Sequence, residues 1–361
     1  MKALVVNALG GRFEPDDVEI AAPIGREVLV DVQASGLCHT DVLFATNNII
    51  PMPAVLGHEV AGIVAEVGPD VQQFKVGDHV VGSLVQSCGA CARCLSGRSF
   101  QCQHPESTLR RPTDPPRISR HGVGVFQGLG LGGFAERALI HENQLAILPK
   151  EMPFAQASLL GCGVVTGAGA VLNTAQVSAG ETVVIVGSGG VGLNAISGAR
   201  IAGASRIVVI DIQPKRLEAA KHFGATDVVD SSKTNPVEAV RGFLPGGADH
   251  VFDFVGSKAV AEQGLAMLGV GGGLYLVGVT KPEVNLELNI FDAIGGQKHV
   301  EGVNFGSTNF KRDIPMYAAL YLQGRMNLDD LVSKRISLRE VNDGYAALQD
   351  GSLNRVVVTS F

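Results

Sequence analysis

Tryptophan is missing from this 361-residue chain, and aromatic side chains of any kind make up only 5% of it. With 46 glycines, that composition suits buried parallel strands joined by tight turns. An excess of basic charge is also missing. The 29 Lys and Arg stand against 35 Asp and Glu, a net charge of −6, which argues against a nucleic-acid-binding surface. No uninterrupted run of about 18 apolar residues is visible, so no membrane-spanning helix is expected. The opening MKALVVNALGGRFEPDD turns polar too early for a secretory signal, and the expectation is a cytoplasmic enzyme. Six cysteines in such a chain point to metal or catalysis rather than to a disulfide framework. What is present, 46% hydrophobic and 18% charged residues, is the balance of a soluble globular protein with room for two domains.

The first third reads as β-rich. Residues 28–32, 60–67 and 79–81 are short β-branched runs bounded by Gly, Pro or Asp, spaced as in a small barrel or sandwich. Residues 103–133, with two proline clusters and GVGVFQGLGLGG, read as a long irregular stretch of functional character. From about Val164 strands and helices alternate. Strands are expected at 182–186, 206–210, 228–229, 250–254 and 274–279, with helices at 193–202 and 214–223. Gly224 suits a left-handed cap on the second helix. Repeated β-α-β predicts an α/β fold built on a doubly wound parallel sheet. Residues 313–322 and 338–348 read as amphipathic helices, and 355–359 as a closing strand.

Cys88-x2-Cys91-x2-Cys94-x7-Cys102 places four thiols within fifteen positions. Tetrahedral Zn²⁺ takes four thiolates, and such a closed sphere leaves no position for substrate, so the expected role is structural, in a lobe at about 86–104. Free or paired cysteines and a zinc-ribbon nucleic-acid module are the alternatives, the latter disfavoured because Arg93 and Arg98 are the only basic residues inside the knot. Gly36-Leu37-Cys38-His39-Thr40-Asp41, then Gly57-His58-Glu59, then Gly161-Cys162-Gly163 contain a Cys, a His and a Cys, a known set for a catalytic zinc with one exchangeable position. Each piece alone is also compatible with a buried filler cysteine or a hydrogen-bonded histidine. Gly187-Ser188-Gly189-Gly190-Val191-Gly192 fits G-x-G-x-x-G between an expected strand and an expected helix, and Asp211 closes the next strand. That context predicts a pyrophosphate at the helix N-terminus and Asp211 on the ribose hydroxyls, favouring NAD over NADP; a helix cap is the alternative role for Asp211.

With GLCHTD (36–41), GHExAG (57–62), CGACARC plus Cys102, GCGVVTG (161–167) and GSGGVG in place, nearly the whole chain resembles the zinc-containing medium-chain alcohol dehydrogenases. The resemblance implies a GroES-like catalytic domain (1–163 and 305–361) and a Rossmann NAD-binding domain (164–304). It implies two zinc ions per subunit, one on Cys38, His58 and Cys162, with Glu59 able to approach the metal, and one on the four-cysteine knot. It further implies that Asp41 holds the zinc-bound histidine, that Thr40 hydrogen-bonds the alcohol, and that His39 and Arg355 contact cofactor phosphate. Thr166 and Val191 match nicotinamide-site positions, Val277 the carboxamide neighbourhood, and Arg216 an adenosine-ribose contact. Leu84 and Phe134 match pocket walls.

The implied chemistry is hydride transfer between an alcohol carbon and NAD⁺, with primary aromatic or medium-chain aliphatic alcohols as substrates and no membrane or nucleic-acid partner. The tail GSTNFKRDIP (306–315) resembles the glutathione-dependent formaldehyde dehydrogenase branch, which makes S-(hydroxymethyl)glutathione the alternative substrate. The long 103–133 segment resembles dimeric members, so a homodimer is expected. Two departures stand out. Leu43 occupies the place of a relay histidine, and no arginine follows Cys102 at once, Arg110 and Arg111 lying just beyond.

Overall fold

In the computed structural model, residues 1–349 and 353–361 are described, and they divide into two compact units. The first is Met1–Cys162 with Asn309–Phe361, the second Gly163–Thr308.

Two sheets build the first unit. A six-stranded sheet runs in the order Glu14–Asp17, Lys2–Val6, Ala54–Val55, Val123–Gln127, Ile118–Arg120, Glu19–Ile20. A seven-stranded sheet runs Leu145–Ile147, His79–Gly82, Glu59–Val67, Glu27–Gly36, Arg355–Ser360, Val332–Ser337, with Arg137–His141 also on Glu27–Gly36. The sequence EVLVDVQASG explains the central place of Glu27–Gly36, because nearly all its side chains are buried and a strand covered on both faces needs such a run. Each fully buried valine there, such as Val28 or Val30, contributes about 1.5–3 kcal/mol over an exposed one. Its pairing with Glu59–Val67 is interrupted by register shifts, and at Gly62 a Cβ would meet the Asp31 carbonyl oxygen at 2.2 Å. The bulge therefore requires glycine at that position. One apolar core gathers Leu4, Val6, Phe13, Leu37, Phe134, Ile336, Tyr345 and Val356, from both ends of the chain.

The second unit is a six-stranded parallel sheet ordered Asp227–Asp230, Arg206–Asp211, Thr182–Val186, Ala248–Asp253, Leu268–Leu276, His299–Gly302. Numbered along the chain this is 3-2-1-4-5-6, the doubly wound order, whose switch point lies between the first and fourth strands. The helices Gly190–Ala202 and Pro214–Phe223 end on Gly203 and Gly224, each in the left-handed region (φ 83° and 118°).

Three sequence expectations are corrected. Residues 103–133 are not irregular: Ile118–Arg120 and Val123–Gln127 form a hairpin on His121 and Gly122, both at positive φ (50° and 77°). Two such residues make the tight turn that suits strand twist, but His-Gly is a weaker written signal for it than Asn-Gly. The sixth parallel strand, His299–Gly302, was not anticipated, because HVEG is short, polar and largely exposed at a sheet edge. Finally, a continuous helical run, Phe154–Thr174, is long and apolar enough by composition to cross a membrane, although 83% of its most apolar window is buried. A count of uninterrupted apolar residues misses it because Gly, Ser and Thr break the run, and glycine masks its helical character. Gly161 is required there, since a Cβ would meet the Gly82 carbonyl oxygen at 2.0 Å.

Candidate active site and metal centres

The four-cysteine knot closes locally. Gly89 (φ 74°) turns the chain between Cys88 and Cys91, and the short helix Ala92–Leu95 carries Cys94. The four sulfurs all lie within 4.8 Å of one another. Backbone N–H groups of Cys88 and His104 point at Cys102 Sγ (3.2 and 3.3 Å), and those of Ala90 and Cys91 at Cys88 Sγ (3.4 and 3.2 Å). Such donors stabilise thiolates. The Gln103 N–H, foremost among others, lowers the Cys91 thiol to about 6, whereas burial raises Cys94 to about 12. Four sulfurs at this spacing, with donors behind them, match a closed tetrahedral zinc site.

A second cluster in the same unit joins three distant segments. Cys38 precedes the helix His39–Thr46, His58 and Glu59 open the strand Glu59–Val67, and Cys162 lies where the run Phe154–Thr174 widens into π-helical turns at Leu160–Val164. Such π turns are frequent at functional sites. The ligand atoms of Cys38, His58, Glu59 and Cys162 lie within 4.8 Å of one another. Asp41 Oδ1 accepts from the Gly57 N–H at 2.9 Å and stands 3.0 Å from His58 Nδ1. Because the carboxylate already accepts from an amide, the His58 proton sits on Nδ1, which leaves the Nε2 lone pair outward. That Nε2 and both Glu59 carboxylate oxygens are buried without a hydrogen-bond partner among the described residues. Orphaned polar atoms in a buried cluster of two sulfurs, an imidazole and a carboxylate fit a bound divalent metal.

The groups of the cluster perturb one another. A hydrogen bond from Cys162, with the charges of His58 and Arg355, holds the Cys38 thiol well below its usual range despite burial. The same sulfur–sulfur hydrogen bond, and then burial, pushes Cys162 up. Burial lifts Glu59 to about 7 against the pull of Arg355. For His58 burial acts downward, but the Asp41 and Cys38 charges outweigh it and raise the imidazole well above its normal value.

Thr40 Oγ1 lies 3.7 Å from Cys38 Sγ, beside the cluster, and His39 is exposed at the first position of its helix. Leu43, in the same helix, is 36% exposed. Arg355 is 6% exposed, with its guanidinium 3.5 Å from Glu59 and 3.4 Å from the Leu37 carbonyl, so its charge is set against the Glu59 carboxylate of the cluster. Phe134 is likewise a core residue. It is fully buried against Phe13 and Tyr345 (ring centroids 5.6 and 6.4 Å), because the apolar core at that point leaves it no free face. Tyr345 carried no sequence signal. Its hydroxyl reaches the Cys38 carbonyl at 3.2 Å and Asp41 Oδ2 at 3.3 Å across more than 300 residues of chain.

In the second unit the glycine loop follows Thr182–Val186 and opens the helix Gly190–Ala202. Gly187 has φ 92°, and a Cβ at Gly192 would meet the Gly187 carbonyl oxygen at 2.0 Å, so the turn itself needs both glycines. A Cβ at Gly189 would meet nothing within 4 Å, which leaves the N-terminal end of the helix open to an anion. Asp211 ends its strand, 6% exposed. Its Oδ2 accepts from the Ser188 N–H and hydroxyl (2.8 and 3.0 Å), and its Oδ1 from the Gln213 N–H (3.0 Å). Oδ1, with a single donor, keeps lone-pair capacity for a further one. Val191 lies in the first turn of the same helix, beside Gly190, and Val277 follows the strand Leu268–Leu276, its N–H bonded to the Asp253 carbonyl. Arg216 lies in the first turn of Pro214–Phe223, and Thr166 in the helix Val165–Gly169. Of the expected cofactor contacts in this unit, all but Asp211 are glycines or partly exposed residues.

Comparison with known proteins places these features in company. The model of the alcohol dehydrogenase GroES-like domain matches residues 25–150, and that of the zinc-binding dehydrogenases residues 190–320. The chain is 36% identical to the NDMA-dependent alcohol dehydrogenase of Amycolatopsis methanolica, over 99% of this chain and 98% of that protein. It is 32% identical to the S-(hydroxymethyl)glutathione dehydrogenase of Paracoccus denitrificans, over 99% of each. The solved structure of benzyl alcohol dehydrogenase from Acinetobacter calcoaceticus superposes with a TM-score of 0.93 at 34% identity, over 100% of this chain and 99% of that one.

Proposed function

The chain belongs to the zinc-containing alcohol dehydrogenases, enzymes that use NAD, and from that premise we propose that it oxidises primary aromatic or medium-chain aliphatic alcohols to aldehydes, and the reverse. The observation that carries this choice over a glutathione adduct lies beyond the fourth cysteine. Arg110 and Arg117 are both buried on Glu27, at 2.6 and 2.7 Å, and their remaining donors serve the carbonyls of Ala22, Pro115 and Thr108. Arg111 is exposed and already paired with Asp114 at 3.2 Å. A substrate carboxylate is thus offered no uncommitted arginine in this stretch. The benzyl alcohol dehydrogenase named above supports the same direction. Kinship to an S-(hydroxymethyl)glutathione dehydrogenase supports the second reading, a thiol-adduct formaldehyde dehydrogenase.

In this reading Cys38, His58 and Cys162 hold the catalytic zinc, with Glu59 as an alternative ligand, and Cys88, Cys91, Cys94 and Cys102 hold the structural one. When bound, zinc supplies Lewis acidity that makes a substrate hydroxyl easier to deprotonate, and NAD⁺ supplies the hydride acceptor. Asp41 keeps the His58 proton on Nδ1, so the imidazole stays a neutral donor through Nε2. Thr40 Oγ1 accepts the hydroxyl proton of the substrate while releasing its own. Because Leu43 cannot carry it further, that proton leaves to water. Arg355 balances the charge that Glu59 and the two thiolates accumulate. Asp211 takes the ribose hydroxyls, and its carboxylate would repel a 2′-phosphate.

One experiment tests the whole reading: turnover of benzyl alcohol, hexanol and formaldehyde with NAD⁺ or NADP⁺, each with and without glutathione. The expected result is benzyl and hexyl alcohol oxidation with NAD⁺, indifferent to glutathione. Formaldehyde turnover strictly dependent on glutathione overturns the substrate, and preference for NADP⁺ overturns the role of Asp211.

The chain is further proposed to act as a homodimer. In the second unit the edge strand His299–Gly302 is paired on one side only among the described residues, and Ile290, Phe291 and Ile294, which precede it in the chain, are 72%, 88% and 75% exposed. An open edge flanked by apolar side chains invites a like strand. Sedimentation at micromolar concentration should give twice the chain mass; a monomer excludes this.

A further inference from the structure

We propose that Tyr345 is a positioning residue for the catalytic metal site, its hydroxyl holding the Asp41 carboxylate that in turn fixes the His58 ring. The inference rests on the reading of Cys38, His58 and Cys162 as zinc ligands and adds to it a residue from the far end of the chain.

Asp41 is 1% exposed, so both of its oxygens need donors from the protein. Oδ1 accepts from the Gly57 N–H and from His58 Nδ1. Oδ2 is reached by the Tyr345 hydroxyl at 3.3 Å. Without that donor one oxygen of a buried carboxylate loses its tyrosine partner, and the group can turn about its Cβ–Cγ bond, carrying the imidazole with it. The same hydroxyl stands 3.2 Å from the carbonyl of Cys38, itself a ligand residue. One phenol therefore anchors the 38–41 segment at two points, its single proton shared between a carbonyl and a carboxylate, and Asp41 carries that anchorage on to His58.

The ring that carries this hydroxyl has little freedom. Tyr345 stacks on Phe13 (centroids 5.3 Å, interplanar 22°) and meets Phe134 edge-on at 6.4 Å. Three residues earlier Asn342 bonds both the N–H and the carbonyl of Phe13, at 3.1 and 2.8 Å, which pins the helix Val341–Gln349 to the N-terminal segment. Gly344 lets that helix come close, since a Cβ there would lie 2.7 Å from Leu37 Cδ2. For packing alone phenylalanine would serve at 345. A hydroxyl buried in this core is unfavourable unless it is bonded, and here it points at the two acceptors beside the metal ligands.

The test compares Tyr345→Phe with the unaltered holoenzyme. Zinc release from the catalytic site to an excess of dipicolinate is followed, together with the visible spectrum of enzyme whose catalytic zinc is replaced by Co²⁺. Loss of an outer partner of a zinc-bound histidine typically costs about 10–100-fold in metal affinity. For Tyr345, one bond further out, release should quicken by roughly 3–10-fold, the cobalt bands should shift, and the thermal midpoint should fall by less than it does in Phe13→Leu. Phe13→Leu weakens the same packing but keeps the hydroxyl, so it should lower the midpoint with a smaller change in release. Release within twofold of the unaltered enzyme and an unshifted cobalt spectrum overturn the proposal, as does equal acceleration by Phe13→Leu. Should the unaltered enzyme hold no zinc outside the four-cysteine knot, the ligand reading itself fails, a result distinct from either.

Discussion

His58→Ala is expected to abolish dehydrogenase activity while leaving the protein folded with about one zinc per chain instead of two. The two candidate centres are built independently: the four cysteines lie in one stretch of 15 residues, whereas the second cluster draws on positions 38, 58, 59 and 162. Removing the imidazole leaves two sulfurs and the Glu59 carboxylate, a poorer set for zinc. Loss of about 4 kcal/mol of Lewis-acid stabilisation corresponds to roughly a 10³-fold fall in kcat/KM. Metal analysis and kinetics on the same preparation decide it. Two zincs with near-normal activity would remove His58 from the site; no zinc at all would show that the two centres are not independent.

Glu27→Gln is expected to have the largest effect on stability away from the active site, about 3–5 kcal/mol, because it strands two buried guanidinium groups. Glu27, 3% exposed, accepts from Arg110 and Arg117 and from the Ile24 N–H at 3.0 Å. The two arginines clamp the 103–133 segment to the strand Glu27–Gly36. The urea midpoint of unfolding should fall sharply, and an unchanged midpoint would show that the triad contributes nothing net. The pH dependence follows from the same contacts. Burial alone would raise the Glu27 carboxyl, but the Arg110 hydrogen bond and the Arg117 charge outweigh it, so its folded pKa lies below the ordinary glutamate value. A depressed carboxylate contributes stability that is complete above the unfolded pKa and is lost as pH falls through the folded one. Unaltered protein should therefore lose stability on acidification below the ordinary glutamate range, and Glu27→Gln should lose less over that window.

Much of the candidate site was written locally. The cysteine spacing 88–102, the glycine loop 187–192 with Asp211, and the pairs Cys38–Asp41 and His58–Glu59 are short motifs whose chemistry depends on nearest neighbours along the chain. The alternation of strand and helix after position 182 was readable for a similar reason, since Val- and Ile-rich parallel strands are buried on both faces and leave a continuous apolar run. The helix Phe154–Thr174 was not readable, because its glycines serve close backbone approach and so lower the very propensity by which a helix is recognised.

What the sequence determined by itself was thus the family, the two zinc sets and the cofactor fold. What only the tertiary structure decided was how the charges around them are partnered. That Arg355 faces Glu59, that Arg110 is committed to Glu27, and that Tyr345 reaches Asp41 each depend on segments from about 80 to more than 300 residues apart. A partner at such a distance leaves no periodic or neighbouring trace, because what selects it is the shape of the core that brings the segments together.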